Sequence, residues 1–196
     1  MISIIYFCYN HKRLTLIENN FILAIESSCD DTAAAVLNNR EVLSNCIYNQ
    51  NTIHTPYGGI VPELASRAHQ SKITPIVNQA LHEANIDKKD LNAIAYTQGP
   101  GLLGSLLVGS SFAKSMSLAL KIPIIPIHHM HGHLLAHFIE NNNYESPKFP
   151  FIGITVSGGH TQILYVKDYF DMEIIGNTLD DLSLIHISEP TRRYAI

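Results

Sequence analysis

The order of elements along the chain narrows its fold more than any single residue does. FILAIE (21–26), AAAVL (33–37) and a segment around 41–48 read as three short strands joined by tight turns, an antiparallel meander. A helix starting near Pro62 follows, with a break or kink expected at Pro75. Next come a buried strand AIAYT (93–97), a glycine turn opening an apolar helix (99–120), a strand PIIPI (123–127), and a loop that becomes a helix across 128–140. Three further strands, at 151–157, 158–166 and 172–178, start a second meander. The class is α/β, and the layout is a βββαβαβα lobe followed by the opening of a second copy.

Composition supports a folded chain. Of 196 residues 46% are hydrophobic and 15% charged, which excludes a disordered tail or a coiled coil. The net charge of −4 excludes a strongly basic, autonomous nucleic-acid binder, although it says nothing about a partner supplying basic surface. Cys8, Cys29 and Cys46 form no CxxC pair and no disulfide framework, which favours a reducing compartment. No apolar run is expected to reach the roughly 18 residues that span a bilayer. The start, MISIIYFCYNHKR, reverses the charge order of a secretory signal.

Four segments carry candidate chemistry. AIESSCDDT places hydroxyls, backbone N–H groups and carboxylates in one turn after a buried strand, the groups that hold a phosphate and its magnesium ion. VSGGHTQ (156–162) is a second strand–turn–strand loop, whose glycines let backbone approach a ligand. Each alone also reads as a plain hairpin turn. Gly99, Gly101 and Gly104 match G-x-G-x-x-G, but the following strand ends in histidine rather than an acidic residue and the opening strands are antiparallel. No lysine stands where a P-loop needs one. These glycines therefore read as close helix packing.

Five of the 11 histidines lie between positions 128 and 137. His129 and His133, four apart, can point the same way and chelate one metal, with a carboxylate from elsewhere completing the site. A non-ligating cluster is the alternative. The HExxH zinc-protease pattern fails, because Met130 stands where its glutamate would be. His54, His69, His82, His137 and His160 read as surface or packing residues, and Cys29 as a small buried residue rather than a nucleophile.

Taken in order, AIESSCDDT, YGGIVPELASRAH, YTQGPGLLGSLLVG, HHMHGH and VSGGHTQ resemble the TsaD family of tRNA threonylcarbamoyladenosine transferases over residues 21–181. The resemblance implies an actin-like ATPase fold, with a first lobe at 21–140 and a second lobe only begun at 141–181. It implies transfer of a threonylcarbamoyl group from threonylcarbamoyl-AMP to N6 of the adenine beside the anticodon in ANN-decoding tRNAs. The family's metal ligands fall on His129 and His133, for one divalent ion, iron or zinc. Its substrate-binding stretch falls on Thr155, Val156, Ser157, Gly158 and Gly159, and its nucleotide or phosphate turn on Ser28, Asp30 and Asp31. Cofactors would be threonylcarbamoyl-AMP or ATP/ADP with magnesium. Partners would be tRNA and TsaB-like and TsaE-like proteins, with no membrane, in a bacterial cytoplasm or an organellar matrix. No covalent nucleophile is implied.

The chain departs from the family in three places. His131 replaces the usual glutamate of the histidine motif. Residues 1–20 read as an extension, and LSLIHISEPTRRYAI (182–196) is unlike the family. The family's later aspartates and asparagine are not found, so the expectation is an enzyme fragment without activity of its own. Other readings are a non-catalytic actin-like partner of the same pathway, which would lack the histidine motif, an actin-like small-molecule kinase, which would not need it, and a metalloprotease.

Overall fold

A computed structural model describes residues 19–139, 145–157 and 160–177. The extension up to residue 18, the candidates Gly158 and Gly159, and the tail from residue 178 lie outside the described residues. The chain divides between Ser146 and Pro147 into two compact units.

The first unit is built on a five-stranded sheet of order β3-β2-β1-β4-β5. Its strands are β1 (Phe21–Glu26), β2 (Asp31–Asn38), β3 (Glu41–Asn49), β4 (Ala93–Gly99) and β5 (Ile124–His128). β1 pairs antiparallel with β2 and parallel with β4, and β4 pairs parallel with β5. The carboxyl ends of β1, β4 and β5 therefore open at one edge of the sheet, where ligands bind in open α/β folds. Asn39, at φ 54°, makes the tight turn between β2 and β3.

The sheet is buried on both faces, which is why β1 carries no polar side chain before Glu26. Leu23 and Ile25 point to one face, with Ile73, Ile76, Val77, Ala80 and Leu81 of α2 (Pro62–Glu83) and Ala113 of α3 (Leu103–Leu120). Ile22 and Ala24 point to the other, with Ala93, Ala95, Ile125 and Ile127. A four-residue helix, α1 (Asn51–His54), and a 3-10 turn at Thr55–Tyr57 lead into α2. Pro62 occupies the first turn of α2, where its missing N–H costs nothing.

Of the break or kink expected at Pro75, the break does not occur: α2 is one helix of 22 residues. An interior proline costs about 3 kcal/mol. The buried residues of α2 lie on both sides of it, Ala65 and Ala68 before and Ile76, Val77 and Leu81 after. Each large apolar side chain buried is worth about 1.5–3 kcal/mol, so packing outweighs the lost bond.

α3 also departs from expectation. At 18 residues with a mean hydropathy of 1.3 it is long and apolar enough to cross a membrane by length and composition. In this fold it lies against α2 and β4. Only Ser105, Gly109 and Ala113 are buried along it, while Leu103, Leu107 and Leu118 stand exposed.

The second unit is a three-stranded antiparallel meander, β6 (Phe151–Ser157), β7 (His160–Asp168) and β8 (Asp171–Asn177). It repeats the hydrogen-bonding plan of β1–β3. Gly153 and Thr155 of β6 are buried, whereas Ile152, Ile154 and Val156 on its other face are more than half exposed.

Candidate functional site

The turn after β1 is held from behind by two helices. Leu102 N–H donates to the Ser28 carbonyl at 2.7 Å. Ser105 Oγ and His69 Nε2 both donate to the Cys29 carbonyl, at 3.1 and 3.0 Å. Ser27 Oγ in turn donates to the Ser105 carbonyl at 2.9 Å. These contacts require backbone to approach backbone. A Cβ on Gly101 would lie 2.4 Å from the Ser28 carbonyl oxygen, and one on Gly109 would lie 2.2 Å from Ser27 Oγ. Gly101 and Gly109 thus serve close packing against the turn.

The acidic pair does not stay together in that turn. Asp30 belongs to it, but Asp31 is the first residue of β2 and accepts a 2.7 Å hydrogen bond from Asn49 Nδ2 across the ladder. Pairing with β3 extends β2 beyond the apolar run that marked it in the sequence. Burial and the neighbouring Asp30 charge push the Asp31 carboxyl up, against the Asn49 hydrogen bond. Cys29 is partly buried, and burial followed by the charges around it pushes its thiol to about 11, which leaves it protonated at neutral pH.

Two residues that the sequence did not single out organise the site. His69 of α2 is fully buried and accepts from Thr32 Oγ1 at Nδ1, 2.8 Å, while donating to Cys29 from Nε2. Burial lowers its pKa, against the Cys29 hydrogen bond and nearby carboxylates, so the ring stays neutral. Glu26 closes β1 at the carboxyl edge of the sheet, 8% exposed. It accepts from Ser28 N–H, from Thr97 Oγ1 at the end of β4, and from His129 Nδ1 at 3.3 Å. Burial alone would raise its pKa, but the His129 hydrogen bond and charge, with Ser28 and Thr97, hold it at about 2.

The histidine cluster follows β5 directly and forms α4 (His129–Leu135). Gly132 does not interrupt this helix. Met130, Leu134 and Leu135 are buried, which turns His129 and His133 together away from the core. Their Nε2 atoms face each other at 3.1 Å. With the His129 proton on Nδ1 toward Glu26, its Nε2 presents a lone pair, open to a His133 proton or to a cation. Bonds of about 2.1 Å from two imidazole nitrogens to one metal ion are compatible with that separation. Burial and the His129 charge lower the His133 pKa against the pull of Glu26, favouring the neutral ring that metals require. His128 and His131 stack separately, ring centroids 4.5 Å apart, so His131 does not join the pair. Among the described residues no third His, Cys, Asp or Glu completes a metal group.

In the second unit Thr155 pairs with Gln162, Val156 with Thr161 and Ser157 with His160. Thr155 Oγ1 is buried without a hydrogen-bond partner among the described residues. An orphaned hydroxyl of this kind fits a strand that meets a polar ligand.

A model of the family described as "TsaD: tRNA N6-adenosine threonylcarbamoyltransferase" matches residues 41–195. The chain belongs to the TsaD family. The matched span takes in residues 182–195, set apart above as unlike the family. A tRNA N6-adenosine threonylcarbamoyltransferase of Christiangramia forsetii is 66% identical over 160 residues, 82% of this chain and 47% of that protein. Relatives of the same name from Cytophaga hutchinsonii and Clostridium novyi are 60% and 54% identical over similar spans. The chain spans about half the length of the TsaD relatives it matches. The solved structure of YeaZ from Pseudomonas aeruginosa has a TM-score of 0.54 at 17% identity, covering 83% of this chain and 68% of that one. The TsaD chain thus has the actin-like fold.

Proposed function

We propose that this chain supplies the metal-binding lobe and the start of the substrate-binding lobe of an enzyme that transfers threonylcarbamoyl from threonylcarbamoyl-AMP to N6 of the adenine beside the anticodon in ANN-decoding tRNAs. The observation that carries this reading is the facing pair of His129 and His133 Nε2 atoms, 3.1 Å apart beside the carboxyl ends of the parallel strands. His129 and His133 would hold one divalent ion, iron or zinc, with a third ligand from outside the described residues. That ion would supply Lewis acidity to the oxygens of the activated substrate.

Ser28 and Asp30, with Asp31 at the start of β2, would position phosphate or its magnesium ion. Thr155, Val156 and Ser157, with Gly158 and Gly159, would bind the adenylate through backbone and hydroxyl groups. Adenine N6 would attack the carbamoyl carbon, and AMP would leave with its charge facing backbone dipoles. No side chain needs to act as a covalent nucleophile, in accord with the protonated thiol of Cys29. TsaB-like and TsaE-like proteins and tRNA would be the partners, in the cytoplasm and away from membranes.

A chimera tests this reading. Residues 21–181 would replace the matching half of the Christiangramia forsetii relative, and the modified nucleoside would be measured by mass spectrometry in an ANN-decoding tRNA. Modification that is lost in the His129→Ala chimera is the expected outcome. A folded chimera that binds the partners yet never modifies tRNA overturns the reading.

A further inference from the structure

We propose that Glu26 is a positioning residue for the metal centre, holding the His129 ring so that Nε2, and not Nδ1, is the ligand. The proposal rests on the reading of His129 and His133 as ligands. It goes beyond that reading by naming the carboxylate that makes one of them competent.

The geometry carries it. Glu26 Oε2 faces His129 Nδ1 at 3.3 Å, while His129 Nε2, on the opposite edge of the ring, faces His133. A carboxylate on the Nδ1 side cannot also reach an ion on the Nε2 side, so Glu26 acts through His129. An acceptor at Nδ1 places the ring proton there and frees the Nε2 lone pair. Histidine ligands are oriented in this way by a carboxylate or carbonyl behind them, which also raises their basicity.

Glu26 is itself held in place. Its other oxygen accepts from Ser28 N–H, and Thr97 Oγ1 donates to the same Oε2 that meets His129. The three groups come from the ends of β1, β4 and β5, strands paired in parallel register. Main-chain hydrogen bonding therefore fixes the distance between Glu26 and α4. Thr97 is 2% exposed, so its hydroxyl meets Glu26 away from solvent.

The test is Zn2+ affinity of the full 196-residue chain, measured by competition with a chromophoric chelator. Glu26→Gln keeps the shape and removes the charge, and should weaken binding by about 10–100-fold. His129→Ala should abolish the chelate. The weak binding that remains to the other groups in His129→Ala should be the same with and without Glu26→Gln, whereas a general loss of structure would lower it further. Should Glu26→Gln not fold by circular dichroism, Thr97→Val decides instead, with a loss of several-fold supporting the role and unchanged affinity overturning it. A wild-type chain that binds no Zn2+ overturns the metal reading and this proposal with it. A wild-type chain that binds, with Glu26→Gln binding as tightly, overturns the role of Glu26 alone.

Discussion

His69 donates from Nε2 to the carbonyl of Cys29 at 3.0 Å, tying the long helix α2 to the turn after the first strand across 40 residues of chain. Thr32 donates to the other nitrogen of the same ring at 2.8 Å, so both nitrogens of a fully buried side chain are used and its tautomer is set. Replacing it with leucine leaves a buried carbonyl with one donor fewer and a buried hydroxyl without its acceptor. With about 1–3 kcal/mol for the hydroxyl left unpaired and about 1 kcal/mol for the lost bond to Cys29, His69→Leu should destabilise the fold by about 2–4 kcal/mol. Urea unfolding midpoints of the two proteins check this, and equal midpoints count against it.

The same ring makes stability depend on pH. Burial holds its folded pKa below the unfolded value, which is about 6.5. The unfolded chain therefore binds a proton that the folded chain resists. The His69 contribution is complete above about pH 6.5 and is lost as pH falls from there toward the lower folded pKa. Urea midpoints at pH 7.5 and 5.5 should show a larger drop in the wild type than in His69→Leu. A drop of the same size in both proteins excludes His69 as the source.

Gly101 lies just before α3 and Gly104 in its first turn, and a side chain would meet different neighbours at the two positions. A Cβ at Gly101 would collide with the backbone oxygen of Ser28 at 2.4 Å, which no rotamer change relieves. At Gly104 the nearest atom is Cβ of the half-buried Ser66 at 3.0 Å, a side-chain atom of α2 rather than backbone. Gly101→Ala should cost about 1–3 kcal/mol as overpacking does, and Gly104→Ala less. Thermal unfolding of the two variants tests the order, and the reverse order would contradict this account.

Cys29 sits in the middle of the candidate phosphate turn with its thiol pushed to about 11, first by burial and then by the charges of Asp30, Glu26 and Asp31. At pH 8 the thiolate is a minor species. Peptide-level mass spectrometry after iodoacetamide treatment should show Cys29 alkylated at least about tenfold more slowly than an unfolded cysteine. Labelling at the unfolded rate would show an accessible, ionised thiol there.

The strands of the first sheet were legible because burial on both faces writes a continuous apolar run, as in Phe21–Ile25 and Ala93–Tyr96. A break at Pro75 was one of two expectations and did not occur, because a local rule for helix breaking carries no information about the apolar face continuing beyond the proline. Asp31 was placed in the turn, because its pairing with Asn49 depends on a strand ten residues further along. His69 was given a packing role. Its burial fits that reading, but the hydrogen bonds to Cys29 and Thr32 had no local signature.

The sequence by itself determined the α/β class, the family motifs and the pair of histidines at helical spacing, since each depends on residues close together in the chain. Tertiary structure alone decided which groups act on that pair. Glu26 looked like the end of an apolar strand. It becomes the partner of His129, 103 residues away, only because β1, β4 and β5 run parallel and bring their carboxyl ends to one edge. Parallel pairing joins segments separated by whole helices, so the resulting contact leaves no periodicity in the sequence to read.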